Sequence, residues 1–132
     1  MEKNIKKICT CLVAAFLSVS TVSVFATSDA MTVSGVTVSV SLSGGQTTVV
    51  AVTNKTSGSN TCTVTASLTG YEHKSSDPSQ IQVCHSYGEA TSTATAVKIA
   101  DTGYEWYYAV SKHTLTVPVN SGYASETLRT SI

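Results

Sequence analysis

From Val36 to Leu42 the chain alternates without a break, with Val36, Val38, Val40 and Leu42 on one side and Thr37, Ser39 and Ser41 on the other. Strand side chains point to opposite faces in turn, so this pattern predicts a strand with one face buried. Val33 has the opposite parity, which places a bulge or short break at Ser34-Gly35. Gly44-Gly45 is a tight-turn signal that predicts a hairpin into a second strand, Gln46 to Thr53. Asn54 to Asn60 consists of loop formers. A third strand follows, with Cys62, Val64, Ala66 and Leu68 alternating against Thr61, Thr63, Thr65 and Ser67 up to Gly70. Glu72 to Ser79 is polar and reads as a surface loop.

Gln80 to Tyr87 predicts a fourth strand. Thr91 to Ile99 predicts a fifth, with Thr91, Thr93, Thr95, Val97 and Ile99 on one face and Ser92, Ala94, Ala96 and Lys98 on the other. Asp101-Thr102-Gly103 turns the chain into Tyr104 to Ser111, where Tyr104, Trp106, Tyr108 and Val110 share parity. His113, Leu115, Val117 and Val119 continue with shifted parity, which predicts a bulge or turn near Lys112. After Asn120-Ser121-Gly122 a weaker strand runs to about Thr130. Seven to eight short antiparallel strands, frequent turns and no helical period predict an all-β protein. The expected form is a single small β-sandwich, immunoglobulin-like or related, with a small β-barrel as the alternative.

The start of the chain follows a different rule. Lys3, Lys6 and Lys7 precede an uncharged, largely apolar run from Ile8 to Phe25, and Val24-Phe25-Ala26 suits a signal peptidase. This layout predicts a secretory leader over 1-26, cleaved after Ala26, and one domain over 27-132. A membrane anchor fits less well, because Ser18, Ser20, Thr21 and Ser23 interrupt the run and no basic stop-transfer residues follow it. The short Lys-rich start reads as bacterial, and the general style is similar to small secreted proteins of Gram-positive bacteria. Neither an LPxTG-like sorting sequence nor a C-terminal apolar tail is encoded, so the expectation is an extracellular protein without a stable membrane anchor.

Without the leader, Lys55, Lys74, Lys98, Lys112 and Arg129 stand against Asp29, Glu72, Asp77, Glu89, Asp101, Glu105 and Glu126. Five positive and seven negative charges leave a net −2, scattered along the chain. No basic stripe exists to neutralise phosphates, which argues against a nucleic-acid partner. Both phenylalanines, Phe16 and Phe25, lie in the leader, so the core is expected to use Val, Ala, Leu, Ile, Tyr and the single Trp106. Ser and Thr are abundant, but Thr alternates with Val and prolines are few, which favours a folded sheet over a disordered stalk.

Cys62 and Cys84 are the two cysteines outside the leader. One such pair in a secreted domain predicts a disulfide, worth roughly 3 kcal/mol in the chain-entropy model. The alternative is a reactive thiol at Cys84 beside His85. The parities conflict, since Cys62 shares its strand's apolar side whereas Cys84 goes with Gln82, opposite Ile81 and Val83.

Catalytic signals are sparse. His73, His85 and His113 lie on separate elements without metal-ligand spacing, so no metal or other cofactor is expected. Gly-x-Ser-x-Gly and Ser-x-x-Lys do not occur. Glu72 with Asp77, or Asp101 with Glu105, sit in or beside loops and make a weak case for a glycosidase pair. Asn54-Lys55-Thr56 matches a glycosylation sequon, which has no meaning in a bacterial chain of this kind.

The strongest binding signal is Tyr104-Glu105-Trp106-Tyr107-Tyr108. Strict alternation places Tyr104, Trp106 and Tyr108 on one face and Tyr107 on the other. One set fills the core, or that set forms an exposed platform for a cell-surface glycan or protein, extended by Tyr71, Tyr87 and Tyr123. In size, leader and Ser/Thr/Tyr-rich composition the chain is similar to the secreted β-sandwich bacteriocins of the lactococcin type. It lacks the Gly-Gly-x-Trp start and the His/Tyr-rich segment associated with them, and no residue role is carried over. The expected function is therefore a secreted, non-catalytic binding domain. A bacteriocin-like toxin and a small secreted hydrolase are the alternatives, and the hydrolase needs His73, His85, His113, Asp77 or Asp101 to converge.

Overall fold

A computed structural model describes residues 25–132; the expected leader lies almost wholly outside the described residues. Eight strands and one short 3-10 turn form two four-stranded antiparallel sheets, as the alternation predicted. The strands are β1 (Phe25–Val33), β2 (Val36–Gly44), β3 (Thr48–Ser57), β4 (Thr63–Lys74), β5 (Asp77–Ala90), β6 (Thr93–Ile99), β7 (Tyr104–Val117) and β8 (Gly122–Ser131). One sheet has the order β1-β2-β3-β6 and the other β5-β4-β7-β8. The chain crosses between sheets after β3, β5 and β6, so the two layers are stitched together by non-local pairings.

The apolar parities meet between the sheets. Val36, Val38, Val40 and Leu42 of β2 and Val49 and Ala51 of β3 face Val64, Ala66 and Leu68 of β4 and Leu115 and Val117 of β7, all fully buried. Ala94 and Ala96 of β6 point inward and Leu128 of β8 closes the far side. The outward faces carry most of the threonines. Thr65 of β4 meets Thr114 of β7 through their hydroxyls, the pairing that β-branched polar residues make across a wet sheet.

Three local expectations are corrected. Ser34-Gly35 is the two-residue turn of the β1–β2 hairpin, with φ of 48° and 77°, and Val33 pairs with Val36. Two consecutive positive φ values match the twist of the flanking strands, and glycine meets that demand at the second position without strain. The polar stretches beyond Asn54 and Glu72 extend strands: β3 continues to Ser57, and β4 and β5 meet at the Ser75-Ser76 turn. β7 runs unbroken through Lys112, because its bulge lies earlier. Glu72 pairs with Trp106 and Tyr71 with Tyr108, leaving Tyr107 as the extra residue.

Candidate functional site

The bulge at Tyr107 decides where the aromatic run points. One extra residue reverses the facing of everything beyond it. Trp106 therefore lies in the core, 1% exposed, while two residues later Tyr108 lies on the outer face of the β5-β4-β7-β8 sheet. There Tyr108 meets Tyr71 of β4, ring centroids 5.5 Å apart. Tyr107 stacks on His73 with centroids also 5.5 Å apart and planes 29° from parallel. Tyr104, half-buried at the start of β7, pairs with Lys74. The expected either-or is thus replaced by a division: Trp106 is core, and Tyr107 and Tyr108 are partly exposed. The pairing register places Val83 beside Tyr71 and Ile81 beside His73, and both β5 side chains are about half exposed. The result is a flat aromatic and aliphatic patch at one end of the sheet. Tyr87 and Tyr123 are exposed on the same sheet but lie farther from this end.

Trp106 supports the patch from below. Its ring covers Gly70, where an added Cβ would come 2.6 Å from Cζ3, so only glycine admits the indole there. The Trp106 backbone N–H donates to the Gln46 carbonyl at 2.9 Å, tying β7 to the β2–β3 turn in the opposite sheet. Its indole Nε1–H has no partner among the described residues.

The three histidines do not converge. His73 and His85 lie on the outer face, His85 with its Nδ1 3.2 Å from the Thr69 hydroxyl, whereas His113 is fully buried between the sheets. Asp77 caps its own turn, accepting from Ser79 and Gln80, which hold its carboxyl below the usual range. The hydrolase constellation is therefore not assembled.

His113 belongs to a closed chain of hydrogen bonds. Thr53 Oγ1 donates to the Thr65 carbonyl at 2.7 Å, which uses its one proton, so it accepts from His113 Nδ1–H at 2.7 Å. Nε2 is then the bare nitrogen and accepts from the Ser111 hydroxyl at 2.7 Å. Every nitrogen of the neutral ring is satisfied, and burial pushes its pKa down to about 4. With Ser111, His113 and Thr53 all buried, this chain ties β3, β4 and β7 together and presents no reactive atom to solvent.

The expected disulfide is not formed: both cysteines are free. Cys62 lies at one end of β4, its thiol 3.5 Å from the Thr91 carbonyl, whereas Cys84 pairs with Gly70. Eight strand residues separate those levels, about 26 Å at the usual rise, far beyond the reach of a disulfide. Register decides this, and the sequence holds no direct sign of it. Nor is Cys84 paired with His85, which points to the other face of the sheet. In the denatured chain from Thr27 we expect Cys62 and Cys84 both to be alkylatable, with Cys62 unreactive until unfolding; an intact mass two hydrogens short of the thiol form would contradict this.

A grouping that sequence reasoning missed surrounds Cys84. Glu72, fully buried, accepts from Gln82 Nε2, from the Asp101 backbone N–H at 3.0 Å and from the Cys84 thiol at 3.5 Å. Gln82 also donates to the Asp101 carboxylate at 2.7 Å. Glu72, Cys84 and Asp101 thus bring ligand-type atoms within 4.8 Å of one another, with the Gln82 amide holding the two carboxylates. Burial, then the negative charge of Glu72, pushes the Cys84 thiol up, which keeps it protonated and weakly nucleophilic at neutral pH. The available signal was the shared parity of Gln82 and Cys84, read as an outward face when it is the inward one.

No family model and no curated protein matches this chain. Among solved structures it is similar to a β-glucuronidase from Bacteroides uniformis, at 9% identity and a TM-score of 0.28. A structure of Bacteroides uniformis β-glucuronidase 2 covalently bound to cyclophellitol-6-carboxylate aziridine gives 9% and 0.29. Each match covers 81% of this chain but 13% of the enzyme, and likeness at that level carries no functional argument.

Proposed function

We propose that this protein is a secreted, non-catalytic binding module whose contact surface is the aromatic end of the β5-β4-β7-β8 sheet. One observation carries the reading: Tyr71, His73, Tyr107 and Tyr108 gather beside the exposed Ile81 and Val83 on an open sheet face. Such a surface sheds water against the apolar face of a sugar ring or of a protein, while phenol hydroxyls orient the contact. The rigid sandwich beneath holds the rings in place, so little conformational entropy is lost on binding. The basic and apolar start of the chain supports delivery outside the cell. Exposed Thr and Ser with scattered charge suit a soluble partner at a cell surface, a glycan or a protein.

The test is a two-dimensional amide NMR titration with soluble cell-wall polysaccharide and with peptidoglycan fragments, followed by Tyr71→Ala/Tyr108→Ala. Shifts confined to β4, the first half of β7 and the adjoining part of β5 are expected, with affinity lost at least tenfold in the double variant. Shifts that map elsewhere, or an unchanged affinity in the variant, would remove this surface as the site.

A further inference from the structure

We infer that a second copy of this chain docks edge to edge along β5, so that two sheets join into one. Among the described residues β5 is an edge strand, paired with β4 alone. Natural edges are usually blunted by charge, proline or a bulge, because unpaired backbone groups invite another strand. The other three edges follow that rule: β1 carries Asp29, β6 carries Lys98, and β8 carries Glu126 and Arg129. β5 carries its charges, Asp77 and Glu89, only toward its ends; between them the segment Ile81 to Gly88 has no proline, no Lys, Arg, Asp or Glu, and no register shift against β4. Its one irregularity, with Pro78, lies before Ile81. Among the described residues, three of the six large exposed apolar side chains, Ile81, Val83 and Tyr87, are on this strand and on one face.

The occupant follows from the order of these residues. Antiparallel pairing about a two-fold axis at Cys84 places Ile81 against Tyr87 of the second copy and Val83 against His85 of the second copy. Each exposed apolar residue is then covered by a partner that the same strand supplies, and the outer faces stay on one side. A two-fold at His85 would set Val83 against Tyr87 but leave Ile81 against the charged Glu89 and the two copies of His85 against each other. Beyond Tyr87 the strand becomes charged at Glu89, and β6 covers its inner face, where a Cβ at Gly88 would lie 2.2 Å from the Thr95 carbonyl oxygen. The uncharged stretch therefore matches the paired stretch. The inference concerns the strand edge and does not depend on what the aromatic face binds.

Sedimentation velocity over a concentration series is expected to show a monomer–dimer equilibrium for the chain from Thr27. Ile81→Lys/Val83→Lys should weaken it at least tenfold while circular dichroism and the melting temperature stay unchanged. A wild-type monomer at every concentration, or a dimer untouched by the lysines, overturns the inference. Register is read separately in a Cys62→Ala/Cys84→Ser background. There an equal mixture of the Val83→Cys and His85→Cys variants, oxidised with copper(II) phenanthroline, should give a heterodimeric disulfide. Two thiols lose two protons, and their two electrons pass to copper. Absence of that cross-link, or equal cross-linking of either variant alone, overturns the two-fold at Cys84. This readout also decides the matter if the lysine variant does not fold.

Discussion

Trp106→Ala is expected to lower the unfolding free energy by about 3–5 kcal/mol, a large part of what a domain of this size possesses. The side chain is the largest in the core, 1% exposed, and no phenylalanine is among the fully buried side chains that could share the load. Removing it leaves a cavity over Gly70 that rigid sheet backbone closes poorly. The reciprocal change, Gly70→Val, should be comparably damaging, because its Cβ would start 2.6 Å from Cζ3 of the ring. Combined, the two changes should cost less than their sum, since the valine occupies space the indole vacates; a coupling of about 0.5–3 kcal/mol is expected. Trp106→Phe should cost much less than the alanine, because it also removes an indole N–H without a partner. Denaturant melts of the four variants measure all of this. The single tryptophan also supplies a direct reading: emission should be blue-shifted and resistant to iodide in the native protein. A mild alanine variant with red-shifted, readily quenched wild-type emission would contradict the placement of Trp106.

The second large effect is on acid stability. An unfolded histidine titrates near 6.5, whereas His113 in the folded protein is depressed to about 4. Between those values the unfolded chain takes up a proton that the folded chain refuses. Stability from this group is therefore complete above about pH 6.5, falls as pH drops through the window, and is fully lost below about pH 4. The span corresponds to roughly 3 kcal/mol. His113→Gln keeps a donor for Thr53 and an acceptor for Ser111 but cannot be protonated. It should flatten the pH dependence between 6.5 and 4.5 while costing some stability at neutral pH. Urea midpoints across that range decide the matter, and an equal acid slope in both proteins would remove His113 as the cause.

Both predictions rest on residues whose type was visible early and whose placement was not. Tyr104 to Tyr108 stood out as the binding candidate, yet alternation alone required Trp106 and Tyr108 to share a side. The extra residue at Tyr107 separates them, and it exists because β7 must pair with β4 over twelve levels while turning Trp106 onto Gly70. Glu72 read as a loop acid because a buried carboxylate requires partners, and Gln82, Cys84 and the Asp101 N–H come from elsewhere in the chain. The disulfide failed for a related reason: two cysteines beyond an expected leader form a chemical opportunity, but their distance is a matter of register.

What the chain determined by itself is therefore local. Period-two alternation of Val with Thr, with Gly-rich turns between, was enough for an all-β sandwich, the inward side of β2, most of the inward side of β4, and most of the turns. Those features depend on the steric preference of β-branched residues for extended backbone and on keeping one face dry. Tertiary structure decided where the bulge falls, which face of β5 turns inward, which aromatics remain at the surface, and how His113 is enclosed. Each of these depends on which strands lie side by side, and strand pairing joins residues tens of positions apart whose mutual register no local pattern encodes.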